Sequence, residues 1–121
     1  MEERERRMAP RTMLAERPVA QVRDLRGVHL LDLSRTGAQI EHVTLLRPGA
    51  ACTLGLLPPC RNLNLPAQVV WCAVIGRTHR FGGASHLVAR SGLRFTTLSA
   101  EQQAALADTL HALATALQPI A

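Results

Sequence analysis

The sequence predicts an all-β domain closed by one C-terminal helix. Short apolar stretches recur between turn signals from Val19 to Phe95, the connections are rich in Gly, Pro, Asp and Ser, and after Ser99 the apolar period changes to a helical one. A chain of 121 residues with 47% apolar and 19% charged residues is one domain with enough material for a core.

Taken in order, residues Met1 to Pro18 are charged, poor in apolar side chains and interrupted by Pro10 and Pro18, so an extended, mobile arm is expected there. The body spans 19–98. Its expected strands are Val19 to Arg23, Val28 to Leu33, Ala38 to His42, Cys52 to Leu57, Leu63 to Ile75 and Gly92 to Phe95, separated by turns such as Asp24-Leu25-Arg26-Gly27 and Ser34-Arg35-Thr36-Gly37. Strands this short need closure into a barrel or sandwich. Pro66 cannot donate to a central ladder, which places the long strand at Ala67 to Ile75. The basic segment Gly76 to Arg90 reads as a hairpin with a long tip, more simply a solvated loop than a docking site.

The third segment, 99–118, carries the helix. Ser99 and Gln102 form a capping-box pattern, and Leu106, Leu110, Leu113 and Leu117 fall on one face. The helix is expected from about Ala100 to Leu117, with Pro119 ending it. Its Leu stripe reads as a lid on the barrel's open end in preference to a dimer seam.

Composition narrows the function. All 14 basic residues are Arg and 9 residues are acidic, giving a charge of +5. The middle of the chain carries most of it, with seven Arg and only Glu41 between Leu33 and Leu98. An anionic partner fits that field, although a general bias toward Arg would produce the same composition. Single-stranded nucleic acid is disfavoured, because the only rings are Trp71, Phe81 and Phe95, all expected in the core. Cys52, Cys60 and Cys72 match neither a zinc knuckle nor a disulfide framework and read as buried thiols in a reducing compartment. With no apolar leader and no run long enough to span a bilayer, a cytoplasmic location without membrane insertion is expected. The five His are scattered, so no metal site is expected, and Ser34 lacks a nucleophile-elbow context, so neither is catalysis.

Two short patterns remain. Arg7 and Arg11 set two guanidiniums four residues apart on a segment that Pro10 keeps out of a regular helix. Asp32-Leu33-Ser34-Arg35-Thr36-Gly37 supplies a carboxylate, a hydroxyl and a permissive glycine between two strands, a polar cup if Asp32 and Ser34 share one side. Guanidinium grips phosphate oxygens or the acceptor edge of guanine, carboxylate complements guanine N–H donors, and Gly37 admits close approach. The simpler alternative for the second pattern is a turn whose Asp and Ser bond their own backbone.

In order and context, these residues resemble the PilZ domain, a bacterial receptor module for the second messenger cyclic di-GMP. The likeness runs from Arg7 and Arg11 through Asp32, Ser34 and Gly37 to the strand ending Val69-Val70-Trp71 and to Ser91-Gly92-Leu93-Arg94-Phe95 before the helix. It implies a six-stranded antiparallel β-barrel with a flanking α-helix, and a cyclic di-GMP ligand held by Arg7 and Arg11 against Asp32, Ser34 and Gly37. The doubled arginine at Arg6 and Arg7 resembles that of members binding an intercalated ligand pair. The resemblance further implies a receptor or adaptor without enzymatic activity or cofactor, acting on motility or biofilm formation through an effector protein or a homodimer. A nucleotide-independent protein adaptor is the first alternative, and a basic nucleic-acid-binding barrel a distant second.

Overall fold

Seven strands occur among the residues that the computed structural model describes, which are 12–13, 19–23, 25, 27–57, 62–81 and 84–117. They are β1 (Thr12–Met13), β2 (Ala20–Val22), β3 (His29–Leu33), β4 (Gly37–His42), β5 (Ala51–Leu56), β6 (Leu63–Phe81) and β7 (Ala84–Phe95), followed by the helix α1 (Ala100–Leu117). All pairings are antiparallel, in the order β1-β3-β4-β7-β6-β5-β2. The sheet curls until its ends meet. Val19, just before β2, bridges to His29 on β3, and the Ala20 N–H donates to the Val28 carbonyl at 3.0 Å. Strands β2 to β7 thus form the six-stranded barrel, and β1 adds a pair of residues to β3 beside that seam.

Inward positions supply the core: Leu30, Leu33, Ile40, Leu54, Leu56, Leu65, Val69 and Leu93 are all buried. Removing each such side chain from water stabilises the fold by about 1.5–3 kcal/mol. The helix completes the core as the expected lid. Leu106 is buried in it, with Leu110 and Leu113 packed against it, while the side chain of Leu117 lies outside the described residues. The capping box is reciprocal: the Gln102 N–H donates to Ser99 Oγ at 3.0 Å, and the Ser99 N–H to Gln102 Oε1 at 2.8 Å. Gln102 also reaches the Asn64 carbonyl on β6 at 3.0 Å, which ties the first helical turn to the barrel.

Four expectations need correction. Strand β6 begins at Leu63 and runs through Pro66, instead of starting at Ala67. Pro66 is tolerated because it lies just past the end of β7: its carbonyl accepts from the Thr96 N–H at 2.9 Å, so the donor it lacks faces the place where the ladder stops. Gly76 to Arg90 is the expected hairpin but without a long looped tip, since β6 and β7 stay paired out to Phe81 and Ala84, with register shifts at Val69/Trp71, Val74/Gly76 and Thr78/Phe81. Among the rings, Phe95 is in the core but Trp71 is 39% exposed, and the side chain of Phe81 lies outside the described residues. Cys52 and Cys72 are half-buried, and Cys60 is outside the described residues.

Candidate functional site

Strand β3 ends on the acidic residue of the second motif, and the turn into β4 is built by its own side chains. The carboxylate of Asp32 accepts the Gln39 N–H at 3.1 Å. Ser34 closes the turn: its N–H donates to the Gly37 carbonyl at 2.9 Å, while its Oγ accepts the N–H groups of Thr36 and Gly37, each at 3.2 Å. The same hydroxyl lies 3.2 Å from Thr36 Oγ1 and 3.3 Å from the Gly37 carbonyl. Asp32 and Ser34 are only 2% and 1% exposed. In place of an open polar cup, the two side chains organise a tight turn that leaves Arg35 and Thr36 exposed at its tip.

Gly37 has a role that the sequence did not reveal. A Cβ there would overlap the Leu93 carbonyl oxygen on β7 and stand 3.2 Å from its carbon and 3.3 Å from Arg94 Cα. The glycine is what lets the motif's turn lie directly on the backbone of β7.

Register defines the surface around the turn. Met13, Asp32, Gln39, Gly92 and Trp71 follow one another across β1, β3, β4, β7 and β6. The adjacent row of Leu33, Ala38, Leu93 and Val69 is buried in the core, so alternation turns Asp32, Gln39, Gly92 and Trp71 to the outside of the barrel. The indole of Trp71 lies over Gly92, where a Cβ would strike it at Nε1 and approach Cε2 at 2.7 Å and Cδ1 at 2.9 Å. Beside it, Gly37 pairs with Arg94, whose Nη2 donates to Gln68 Oε1 at 2.8 Å. Arg35, Thr36 and Arg94 also border a cleft of about 500 Å³ that continues to Thr96, Gln103 and Leu106 at the helix. The outer face thus offers an indole, amides and two exposed guanidiniums around a rigid turn.

Of the residues around the turn, Gln39 is absent from the sequence reading, Arg94 enters it only as part of the resemblance, and Trp71 enters as part of the resemblance and as a core ring, neither with a place at the site. Val69 is buried and Trp71, two residues on, is exposed, because the register shift at Val69/Trp71 breaks simple alternation. Of the residues expected at the site, Asp32, Ser34 and Gly37 come together, whereas Arg6, Arg7 and Arg11 lie outside the described residues. Nevertheless β1 begins at Thr12 and pairs with Leu33 and Asp32, so the chain just after Arg11 is held against the motif strand.

Inside the barrel, His42 and Ser91 share a hydrogen bond of 2.8 Å between Nε2 and Oγ, both residues being buried. Burial pushes the His42 imidazole below its usual 6.5, partly offset by the Thr44 backbone and the Glu41 carboxylate. Its Nδ1 has no hydrogen-bond partner among the described residues. These groups lie on the core side, away from the outer row. No cluster of three metal-ligating side chains occurs among the described residues, and no described helix is long and apolar enough to cross a membrane.

The comparisons agree with this architecture. Two solved structures share the fold: the PilZ domain of YcgR from Escherichia coli, solved with cyclic di-GMP, superposes with a TM-score of 0.68 at 17% identity, covering 92% of this chain and 93% of that one. MrkH, described as a transcription regulatory factor dependent on cyclic di-GMP, superposes with a TM-score of 0.66 at 18% identity over 90% of this chain, which spans about half (51%) of MrkH. A search of curated proteins returned no match. The PilZ domain model, however, matches residues 4–112, from within the arginine-bearing N-terminal segment through both motifs into the last helix, and the chain accordingly belongs to the PilZ domain family.

Proposed function

We propose that this chain is a cyclic di-GMP receptor that hands its signal to a partner protein. The observation that carries the reading is the pairing of Thr12–Met13 with Leu33 and Asp32, which ties the chain immediately after Arg11 to the motif strand. Arg7 and Arg11 would clamp the phosphates, with Arg6 engaging a second, intercalated ligand molecule. The outer row beside Asp32 would receive the guanine, with the exposed Arg35 and Arg94 adding positive field. YcgR and MrkH are both described with cyclic di-GMP, which supports the same ligand here. The dinucleotide is a ligand that comes and goes, and no cofactor or chemical step is assigned. Ordering of the Met1 to Pro18 arm, of which Thr12–Met13 already pair with β3, on the bound anion is the proposed output step, and its entropic cost sets a moderate, salt-sensitive affinity. The free thiols of Cys52 and Cys72 suit action in the cytoplasm.

Isothermal calorimetry tests the reading, alongside the fluorescence of Trp71, which is the only tryptophan in a chain without tyrosine. Saturable binding of cyclic di-GMP but not GTP or cyclic GMP, lost in Arg7→Ala and accompanied by a change in indole emission, is expected. Arg6→Ala should reduce the stoichiometry from two ligands to one. Silence of the wild-type protein up to about 100 μM ligand would overturn the receptor reading.

One observation favours a second reading, a nucleotide-independent adaptor. Asp32 and Ser34 already bond to the backbone of their own turn, as residues kept for structure would. That reading expects partner binding to be unchanged by Arg7→Ala.

A further inference from the structure

Strands β6 and β7 leave the barrel as a two-stranded ribbon. β5 accompanies β6 only as far as Gln68, and β4 accompanies β7 only back to Ala89. Just beyond, the 43–50 connection covers β6: Gly49 and Ala50 bond to the Val69 backbone, and the Leu46 N–H to Cys72 Sγ at 3.4 Å. From Ala73 to Phe81, no strand among the described residues lies against β6 on the side away from β7. Edges of this length are normally blunted by charge, bulges or a cover, because they invite another strand. This edge carries two of those devices, the register shifts at Val74/Gly76 and Thr78/Phe81 and the charge of Arg77, but it has no covering strand among the described residues and is flanked by exposed apolar side chains, Val70, Val74 and Ile75 being 52%, 50% and 49% exposed.

Charge decides what fits. Between Val69 and Ala100 the chain has Arg77, Arg80, Arg90 and Arg94 and no carboxylate. Glu41 on β4 pairs with Arg90 at 3.3 Å, and beyond that pair the sequence of the ribbon carries only positive charge. A second copy would bring like charge against like. A nucleic acid would use the arginines but leave the valine and isoleucine side chains in water. An extended segment rich in Glu or Asp, with apolar residues in alternation, satisfies the backbone edge, the apolar surface and the charge together.

We propose that the Ala73–Phe81 edge of β6 is the docking site for an acidic segment of a partner protein, which adds to the ribbon as an extended strand. This rests on the adaptor part of the reading above, that a signal leaves through a partner, and not on nucleotide binding.

The test uses the whole ¹⁵N-labelled chain titrated with three eight-residue peptides. One alternates Glu with Val and Thr, one carries Lys in place of Glu, and one repeats the acidic sequence with alternate backbone nitrogens methylated. The acidic peptide should shift the amides of residues 73–81 with a dissociation constant below about 1 mM. The Lys and N-methylated peptides should bind at least about tenfold more weakly. Arg77→Glu should weaken the acidic peptide at least about fivefold; Val74→Thr, a milder change on the ribbon, gives a second measure if Arg77→Glu alters the thermal midpoint. Absence of shifts with the acidic peptide, or shifts located elsewhere, overturns the proposal. So does a stronger response of the same amides to a 20-base-pair DNA duplex, or a dimer by light scattering that masks them. Cyclic di-GMP titrated into the same sample keeps the outcomes separate: a silent nucleotide with peptide binding intact removes only the receptor reading, and the reverse removes only the docking edge.

Discussion

Adding one methyl group at Gly37 tests whether the motif glycine serves the contact between strands. In Gly37→Ala the new Cβ overlaps the Leu93 carbonyl oxygen, with the carbonyl carbon and Arg94 Cα behind it at 3.2 and 3.3 Å. All three are main-chain atoms of β7 at the end of its ladder with β4, so no rotamer change relieves the overlap. β4 and β7 must part at this end by about 1 Å to reach ordinary contact. The hydrogen bonds at risk are Phe95 N–H to the Thr36 carbonyl at 2.8 Å and Ser34 N–H to the Gly37 carbonyl at 2.9 Å. Two weakened bonds at about 1 kcal/mol each, added to overpacking strain of about 1–3 kcal/mol, give a loss of roughly 2–4 kcal/mol. Urea unfolding followed by circular dichroism should show the midpoint falling by about 1–3 M. Gly92→Ala is the internal control. Its clash is of similar size but meets the indole of Trp71, a side chain at the surface that can swing away, so about 1 kcal/mol is expected together with a shift in emission. A Gly37→Ala midpoint within about 0.3 M of wild type, or a Gly92→Ala loss as large as that of Gly37→Ala, would refute the reasoning.

Other perturbations probe the core and the thiols. His42 is held neutral by burial, so its folded pKa lies below 6.5 and the unfolded chain binds the proton first. Stability should be full above pH 6.5 and fall as pH drops from there through the folded pKa, by at most about 1.4 kcal/mol per pH unit, and His42→Gln should flatten that slope in urea titrations. Leu106→Ala removes the helix's buried anchor and should cost about 2–5 kcal/mol in the same assay, whereas Ala107→Ser on the exposed face should cost under about 0.5 kcal/mol. Burial pushes the Cys52 thiol above its usual 9.0, so mass spectrometry after brief iodoacetamide treatment near pH 8 should find Cys52 largely unmodified in the native protein and modified once unfolded.

Local features were legible in the sequence because they depend on neighbours along the chain. The Ser99–Gln102 cap, the Leu106, Leu110 and Leu113 face and the Asp32–Gly37 turn are set by side chains within a few residues of each other. What escaped depends on partners across the sheet. Whether Pro66 breaks a strand is decided by which side its missing donor faces, and that side is settled by where β7 ends. Trp71 sits in an apolar run and so reads as core, but the register shift beside it leaves the indole at the surface. Gly37 was read as room for a ligand, while the atoms that need the room belong to β7. The ribbon edge was invisible for the same reason: a long strand pairs along only part of its length, and the sequence does not say where its neighbours stop.

The short β1 ladder also sets a length scale. Arg7 is five residues before Thr12, whose partner is Leu33 beside Asp32, so a fully extended chain lets the Arg7 backbone range no more than about 17 Å from that anchor. Confinement of this kind corresponds to a local guanidinium concentration of roughly tens of millimolar, independent of how dilute the protein is. An Arg7-to-Arg11 peptide supplied in trans to a chain lacking its first eleven residues would need to reach that concentration before it could substitute for the tethered segment.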